Sequence, residues 1–295
     1  MARSSDLFLT ALAPAIWGST YIVTTELLPE GYPVTVAMLR ALPAGLLLLL
    51  LVRQLPDPGW WGRVLLLGAF NFSIFWALLF IAAYRLPGGV AATVGAVQPL
   101  IVIFLARAVL RTPILAASVL AALAGMGGVA LLVLTPEASL DSLGVAAGLG
   151  AALSMAAGTV LSRKWQPPVS PLTFTAWQLT AGGLLLLPLA LWLEPPLPAL
   201  TTDNVLGLAY LGLIGAAFTY LLWFRGVSRI EPSAVSALGF LSPVTALLLG
   251  WWILDQGLGV LQSLGVVTVL ASVWVSQWAA RRPRPRPDRS AAATA

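Results

Sequence analysis

The feature that most limits what this chain can become is a series of ten apolar stretches, each about 20 residues long, separated by short polar or proline-rich joints. At 1.5 Å per residue, roughly 20 such residues carry a helix across a hydrocarbon core, where every backbone N–H and C=O must be satisfied by a helix or a closed barrel. The stretches lie at residues 7–25, 34–52, 64–84, 86–106, 112–134, 143–162, 171–193, 204–224, 232–254 and 257–278. Their apolarity is continuous rather than alternating, which predicts helices and not barrel strands. Only 9% of the 295 residues are charged, 59% are hydrophobic, and the mean hydropathy is +0.92; a soluble domain carries about 25% charge. The expected fold is an all-α integral membrane protein of ten transmembrane helices.

The charges orient those helices. MARSSD leads directly into an apolar run longer than a signal peptide and without a convincing cleavage site, so the first stretch reads as a retained span. With the N-terminus inside, 14 of the 16 basic residues fall on the inner side, Arg85 alone falls outside, and Arg40 lies within a span. That bias predicts both termini in the cytoplasm and a multi-pass protein of the cytoplasmic membrane. The tail from Arg281, RRPRPRPDRSAAATA, alternates prolines with arginines and is expected to be a disordered cytosolic segment. Its basic charge is explained by orientation or by anionic lipid headgroups, so lipid and not nucleic acid is the expected polyanionic partner.

An internal repeat then constrains the topology. RLPGGVAATVGAVQPLIVIFL, residues 85–105, returns in altered form as RIEPSAVSALGFLSPVTALLL, residues 229–249, with Arg85, Gly95, Pro99 and Leu105 matching Arg229, Gly239, Pro243 and Leu249. RALPAGLLLL from Arg40 matches QLTAGGLLLL from Gln178, and Gly125 to Gly128 in the fifth span lies opposite Gly265 in the tenth. Five spans is an odd number, so the second copy must enter the membrane from the other side, giving two inverted five-helix repeats. The expected units are residues 1–137, residues 138–280 and the tail 281–295. Small residues four apart, such as Ala121 with Gly125 and Gly144 with Gly148, are expected to pack helices within a monomer.

Little in the chain could perform catalysis. It has no Cys and no His, which removes thiolate chemistry and the commonest general base and metal ligand. No Asp or Glu lies near a predicted midplane, and no carboxylate pair has ligand spacing on one helix face, so neither enzyme chemistry nor a metal or other cofactor is expected. Arg40, the one formal charge placed inside a predicted span, lies roughly 9 Å below the outer end of the second helix and must face protein or water. It can meet a substrate carboxylate, pair with Glu26, or bond the carbonyls of a broken helix.

Aromatic and amide side chains cluster at helical spacing on several spans. Trp17, Tyr21 and Thr24 share a face of the first; Asn71, Phe75 and Leu78, with Trp76 and Leu79 adjoining, share one of the third. The seventh carries Phe174, Trp177 and Gln178, and the eighth Thr219, Tyr220 and Trp223. Such a mixture can stack an apolar body and orient a polar end, or it can simply pack. Gly95, Gln98 and Pro99 in the fourth span, and Gly239, Ser242 and Pro243 in the ninth, form matched interruptions of the kind found at transporter binding sites, or kinks that allow close packing.

The Trp17-Gly18-Ser19 triplet, Arg40 early in the second span, the apolar-Pro pattern of the fourth and ninth, and the inverted five-helix halves together resemble the EamA family of the drug/metabolite transporter superfamily, over residues 6–278. Within it the chain is most similar to YddG-type bacterial exporters of aromatic amino acids. The resemblance implies a secondary transporter that exports aromatic or other neutral amino acids and related metabolites by alternating access. On that reading Trp17, Tyr21, Phe75, Leu79, Trp177 and Tyr220 line a central cavity, and Asn71, Gln98, Gln178 and Ser242 orient the substrate. Arg40 attracts a carboxylate, and Gly95, Pro99, Gly239 and Pro243 act as hinges. Arg111 and Thr112 depart from the Gly-Glu pair often found after the fourth helix in such proteins, while Asp255 keeps an acid after the ninth. The alternatives are a transporter of another metabolite or a drug-like cation, and a passive channel.

Overall fold

The computed structural model describes residues 4–86, 88–133, 141–255, 257 and 259–281. The expected joint between the repeats and the expected cytosolic tail lie almost entirely outside them. Every regular element among the described residues is helical. The first span comprises α1 (Ser4–Gly18) and α2 (Thr20–Leu27), the second is α3 (Pro33–Val52), and the third joins α4 (Trp61–Gly68) to α5 (Ile74–Arg85) through a π-helical stretch, Ala69–Ser73. α6 (Gly88–Gly95) and α7 (Gln98–Leu110) make the fourth, and α8 (Ala116–Val133) the fifth. The second half continues with α9 (Ser142–Lys164) and α10 (Pro171–Leu193), then α11 (Thr202–Gly212), a π-helical stretch at Leu213–Phe218, and α12 (Thr219–Arg229). α13 (Pro232–Leu238) with α14 (Leu241–Ile253), and finally α15 (Val260–Arg281), complete it.

Nine helical stretches among the described residues are long and apolar enough to cross a membrane. In the remaining expected span a turn at Ser19 separates α1 from α2: Ser19 N donates to Ile16 O at 3.0 Å and Ser19 Oγ to the same carbonyl at 2.7 Å. Large apolar side chains cover the outside, among them Leu50, Leu191, Val260 and Trp192. Exposure on that scale fits hydrocarbon and not water.

The helices also run past the charges at which the apolar stretches stop. α12 continues to Arg229 and α1 begins before Asp6, so Arg225 and Asp6 both lie within helices. These charges lie in helical turns beyond the apolar stretches, at the ends of the bundle. A helix needs its own i to i−4 bonds rather than apolar side chains, and an arginine stem lies along the surface while its head reaches polar ground.

The repeat is visible in the helix irregularities. The π-helical stretches begin at Ala69 and Leu213, 144 residues apart, which is the spacing between Arg85 and Arg229. A π turn inserts one residue into a helix and rotates the next turns about the axis. The breaks at Ala96–Val97 and at Gly239–Phe240 also correspond to within one residue, each shortly before the proline of its pair. Pro99 therefore sits in the first turn of α7, where a missing N–H costs nothing.

α3 and α10 run alongside one another over most of their length at the centre. Gly45 faces the Thr180 backbone, and a methyl added at Gly183 would lie 2.6 Å from Leu42 Cα. Two 138-residue offsets relate these positions, so the contact is near-symmetric and depends on the absence of side chains. The other small-residue positions are likewise used inside the chain: Gly128 packs on Val269 and Gly265, Gly144 on Leu86, and Gly148 on Val94.

Candidate functional site

The Trp17-Gly18-Ser19 triplet assigns one residue to each of three neighbours. Gly18 lies where a methyl would be 2.5 Å from Ser242 O, 2.7 Å from Thr245 Cβ and 2.8 Å from Ala246 N, so α1 meets α14 backbone to backbone. Ser19 Oγ shares a 2.7 Å hydrogen bond with Tyr210 OH on α11. Trp17 turns inward, and its Nε1 donates to Thr219 Oγ1 at 2.9 Å.

Around Trp17 the side chains of the third and eighth spans form a continuous aromatic group. Trp17 lies 4.9 Å from Tyr220 and 5.2 Å from Trp223 by ring centroids, while Phe72 lies 4.6 Å from Tyr220 and 5.4 Å from Trp76. Trp76 and Tyr220 meet edge to face at 6.5 Å. They are themselves 144 residues apart, so the pseudo-twofold relation between the repeats passes between them. Phe75 and Leu79 are half-buried against the same core.

Arg40 closes this group from α3. Its guanidinium lies 5.2 Å from the Trp76 ring centroid, and Nη2 donates to Gly215 O at 2.7 Å in the π-helical stretch, where Thr219 Oγ1 also donates at 2.9 Å. Of the roles open to Arg40 in the sequence, bonding to the carbonyls of an irregular helix is the one this geometry displays. The ring face adds a cation–π attraction that keeps the charge oriented away from lipid.

Asn71 and Gln178 are placed differently. Both are fully buried, Asn71 Nδ2 donates to Gln178 Oε1 at 2.8 Å, and Ser162 Oγ lies 3.2 Å from Asn71 Nδ2 and 3.3 Å from Gln178 Oε1. The arrangement mirrors that of Arg40. Gln178 is the repeat partner of Arg40, and Asn71 lies 144 residues before Gly215, so each repeat sends one polar side chain to the π-helical stretch of the other. Losing one partner strands a buried amide. Asn71→Ala is expected to lower stability by about 1–3 kcal/mol, while Asn71→Ala with Gln178→Leu recovers part of the loss; thermal unfolding in detergent measures both.

Trp177 is separated from the aromatic group. It is buried with Val64, Leu67 and Phe174, and its Nε1 donates to Gln54 O at 2.7 Å, near the face of the bundle where the chain begins. One step around α10 from Gln178 turns it onto another neighbour, which corrects its expected place in the central lining. Gln98 is half-buried at the α6–α7 break, close to Gly239 of the matching break. Ser242 contributes the carbonyl against which Gly18 packs. The Tyr21 side chain lies outside the described residues.

Phe72 and Gly215 carry no sequence signal that marks them for the site. For Trp76 a signal exists: it lies at the repeat position of Tyr220, so choosing one should choose the other.

Against known proteins, the profile of the EamA-like transporter family matches residues 4–134 and 142–277. The chain belongs to this family. Protein PecM of Dickeya dadantii (strain 3937) is 46% identical over 267 residues, covering 90% of each chain. An uncharacterized transporter of Synechocystis sp. is 31% identical over 291 residues, covering 90% of this chain and 88% of its own. The uncharacterized inner membrane transporter YedA of Escherichia coli (strain K12) is 26% identical over 264 residues, covering 88% and 86%. A solved crystal structure, 19% identical, superposes with a TM-score of 0.80 over 95% of this chain and 100% of that one, which establishes the shared fold. An EamA-like transporter moves a solute rather than transforming it.

Proposed function

We propose that this EamA-like transporter exports aromatic or other neutral amino acids and related metabolites across the cytoplasmic membrane by alternating access. One observation carries the reading: an arginine, Arg40, is held part-buried over the Trp76 ring, which belongs to the same aromatic group as Tyr220 and Trp17. A guanidinium supplies several donors in a fixed fork that matches a carboxylate, and the rings offer flat apolar faces to the remainder of the solute. The rings fill the centre in this structure, so a substrate ring takes its place by displacing Trp17, the half-buried member. The matched interruptions at Gly95–Pro99 and Gly239–Pro243 supply bending points at which the fourth and ninth spans change shape together. The inner-membrane placement rests on the loop charges, and it agrees with the inner-membrane assignment of the Escherichia coli relative.

The test is flux in proteoliposomes over a panel of amino acids. Saturable uptake of aromatic members, accelerated by the same compound on the opposite side, is the expected result. Unitary currents without saturation would overturn alternating access, and uptake confined to organic cations would overturn the substrate class.

A further inference from the structure

Two ion pairs stand at opposite ends of the bundle. At the face where the chain begins, Asp6 of α1 lies 2.7 Å from Arg225 Nη2 and 3.1 Å from Arg229 Nη1, both on α12. At the other face, Asp141 at the start of α9 lies 3.7 Å from Arg85 Nη1 at the end of α5. Each pair joins the first helix of one repeat to the end of the third span of the other. Arg85 and Arg229 are the matched arginines of the repeat, and Asp6 and Asp141 open the corresponding helices. The pairs are one interaction, written twice with opposite orientation.

Their grip differs. The Asp6 side chain is 8% exposed and bonded by two guanidinium groups, whereas Arg85 and Asp141 are 48% and 41% exposed at a longer separation. The surroundings differ in the same sense. Around Asp6, Thr10 packs tightly on Gly226, Arg163 donates to the carbonyls of Val227 and Ser228, and Ala13, Phe224 and Val227 are buried. Asp141 divides its carboxylate, since Oδ1 accepts from Gly144 N at 2.6 Å to cap α9.

We propose that these pairs are the two gates of transport: Asp6 with Arg225 and Arg229 closes the cytoplasmic side in the conformation described here, and Arg85 with Asp141 closes the outer side when the repeats exchange shapes. An inverted repeat exchanges shapes by giving each half the conformation of the other, so the tight pair must loosen as its counterpart tightens. Neither pair touches the central site, so these are positioning residues that set which side the site faces. The proposal rests on the alternating-access reading above.

The absence of cysteine makes the test direct. A single cysteine at Ala13, buried behind the Asp6 pair, is exposed to a membrane-impermeant maleimide added from the cytoplasmic side of the full-length protein in vesicles. Asp6→Asn and the milder Arg229→Gln are expected to speed labelling, about 10-fold for the former, because each weakens the state in which the pair is formed. Arg85→Gln is expected to slow it, by weakening the opposite state. Asp6→Glu is expected to restore the slow rate. Opposite shifts from the two ends sustain the gates, even if flux of amino acids is absent and the transport reading falls. Labelling that rises for all variants alike indicates mere loosening of the fold and overturns the proposal, as does labelling unchanged across the variants, with or without flux.

Discussion

Arg40→Gln is expected to reduce transport of a carboxylate-bearing amino acid by about 10- to 100-fold, the loss that results from removing a charge-assisted hydrogen bond worth about 1.5–3 kcal/mol. The size of the effect comes from the setting. Arg40 sits among Trp76, Tyr220 and the Gly215 carbonyl, where water is scarce and a charge–charge contact is screened less than at the surface. Thr219 Oγ1 still donates to Gly215 O at 2.9 Å, so the π-helical stretch keeps a partner and the fold should survive. The control is the matching amino acid amide, which has no carboxylate to lose; its flux should change by no more than about 3-fold, since it forgoes that hydrogen bond with either side chain. Equal losses for acid and amide in proteoliposome flux would remove Arg40 from substrate recognition and leave it a structural brace.

Gly18→Val carries the largest expected cost to stability, about 3 kcal/mol or more. The valine Cβ alone would stand 2.5 Å from Ser242 O and 2.8 Å from Ala246 N, both backbone atoms of α14 that no rotamer change can move. Separating α1 from α14 would also draw Trp17 away from Tyr220 and weaken the Ser19–Tyr210 bond. Gly18→Ala brings the same Cβ to the same place and should show much of the loss, whereas Ser19→Ala removes one hydrogen bond and should cost about 1 kcal/mol. Melting in detergent ranks the three. A Gly18→Val protein as stable as the parent would mean that α1 and α14 are not in contact.

The glutamine and asparagine of the seventh and third spans illustrate how far the sequence could be read. That Asn71 and Gln178 would be buried was legible, because neither belongs in hydrocarbon. That they would bond each other across 107 residues was not, and the same holds for Arg40 and Gly215 across 175. The repeat held a partial answer, since aligning Arg40 with Gln178 and Asn71 with Gly215 predicts that whichever pair meets, its counterpart meets too. The π-helical stretches are harder still. Neither Ala69–Ser73 nor Leu213–Phe218 contains a proline, so composition marks no break there, and only the surrounding packing turns the helix.

Sequence alone determined that the chain is helical, where nearly every span lies, that the second half inverts the first, and which family it belongs to. These conclusions come from apolarity per unit length, from parity and from ordered motifs, all of which are properties along the chain. Tertiary structure decided which side of each helix faces which neighbour: Trp17 toward Tyr220, Trp177 away from it, Asp6 into a pair of arginines. In water a helix shows its inner face by being apolar there and polar elsewhere. In a membrane the solvent is as apolar as the core, so the stripe that would reveal the rotation of each helix fades. Rotation is then settled by close backbone approach at Gly18, Gly45 and Gly183 and by a few buried polar bonds, and these exist only once the helices are together.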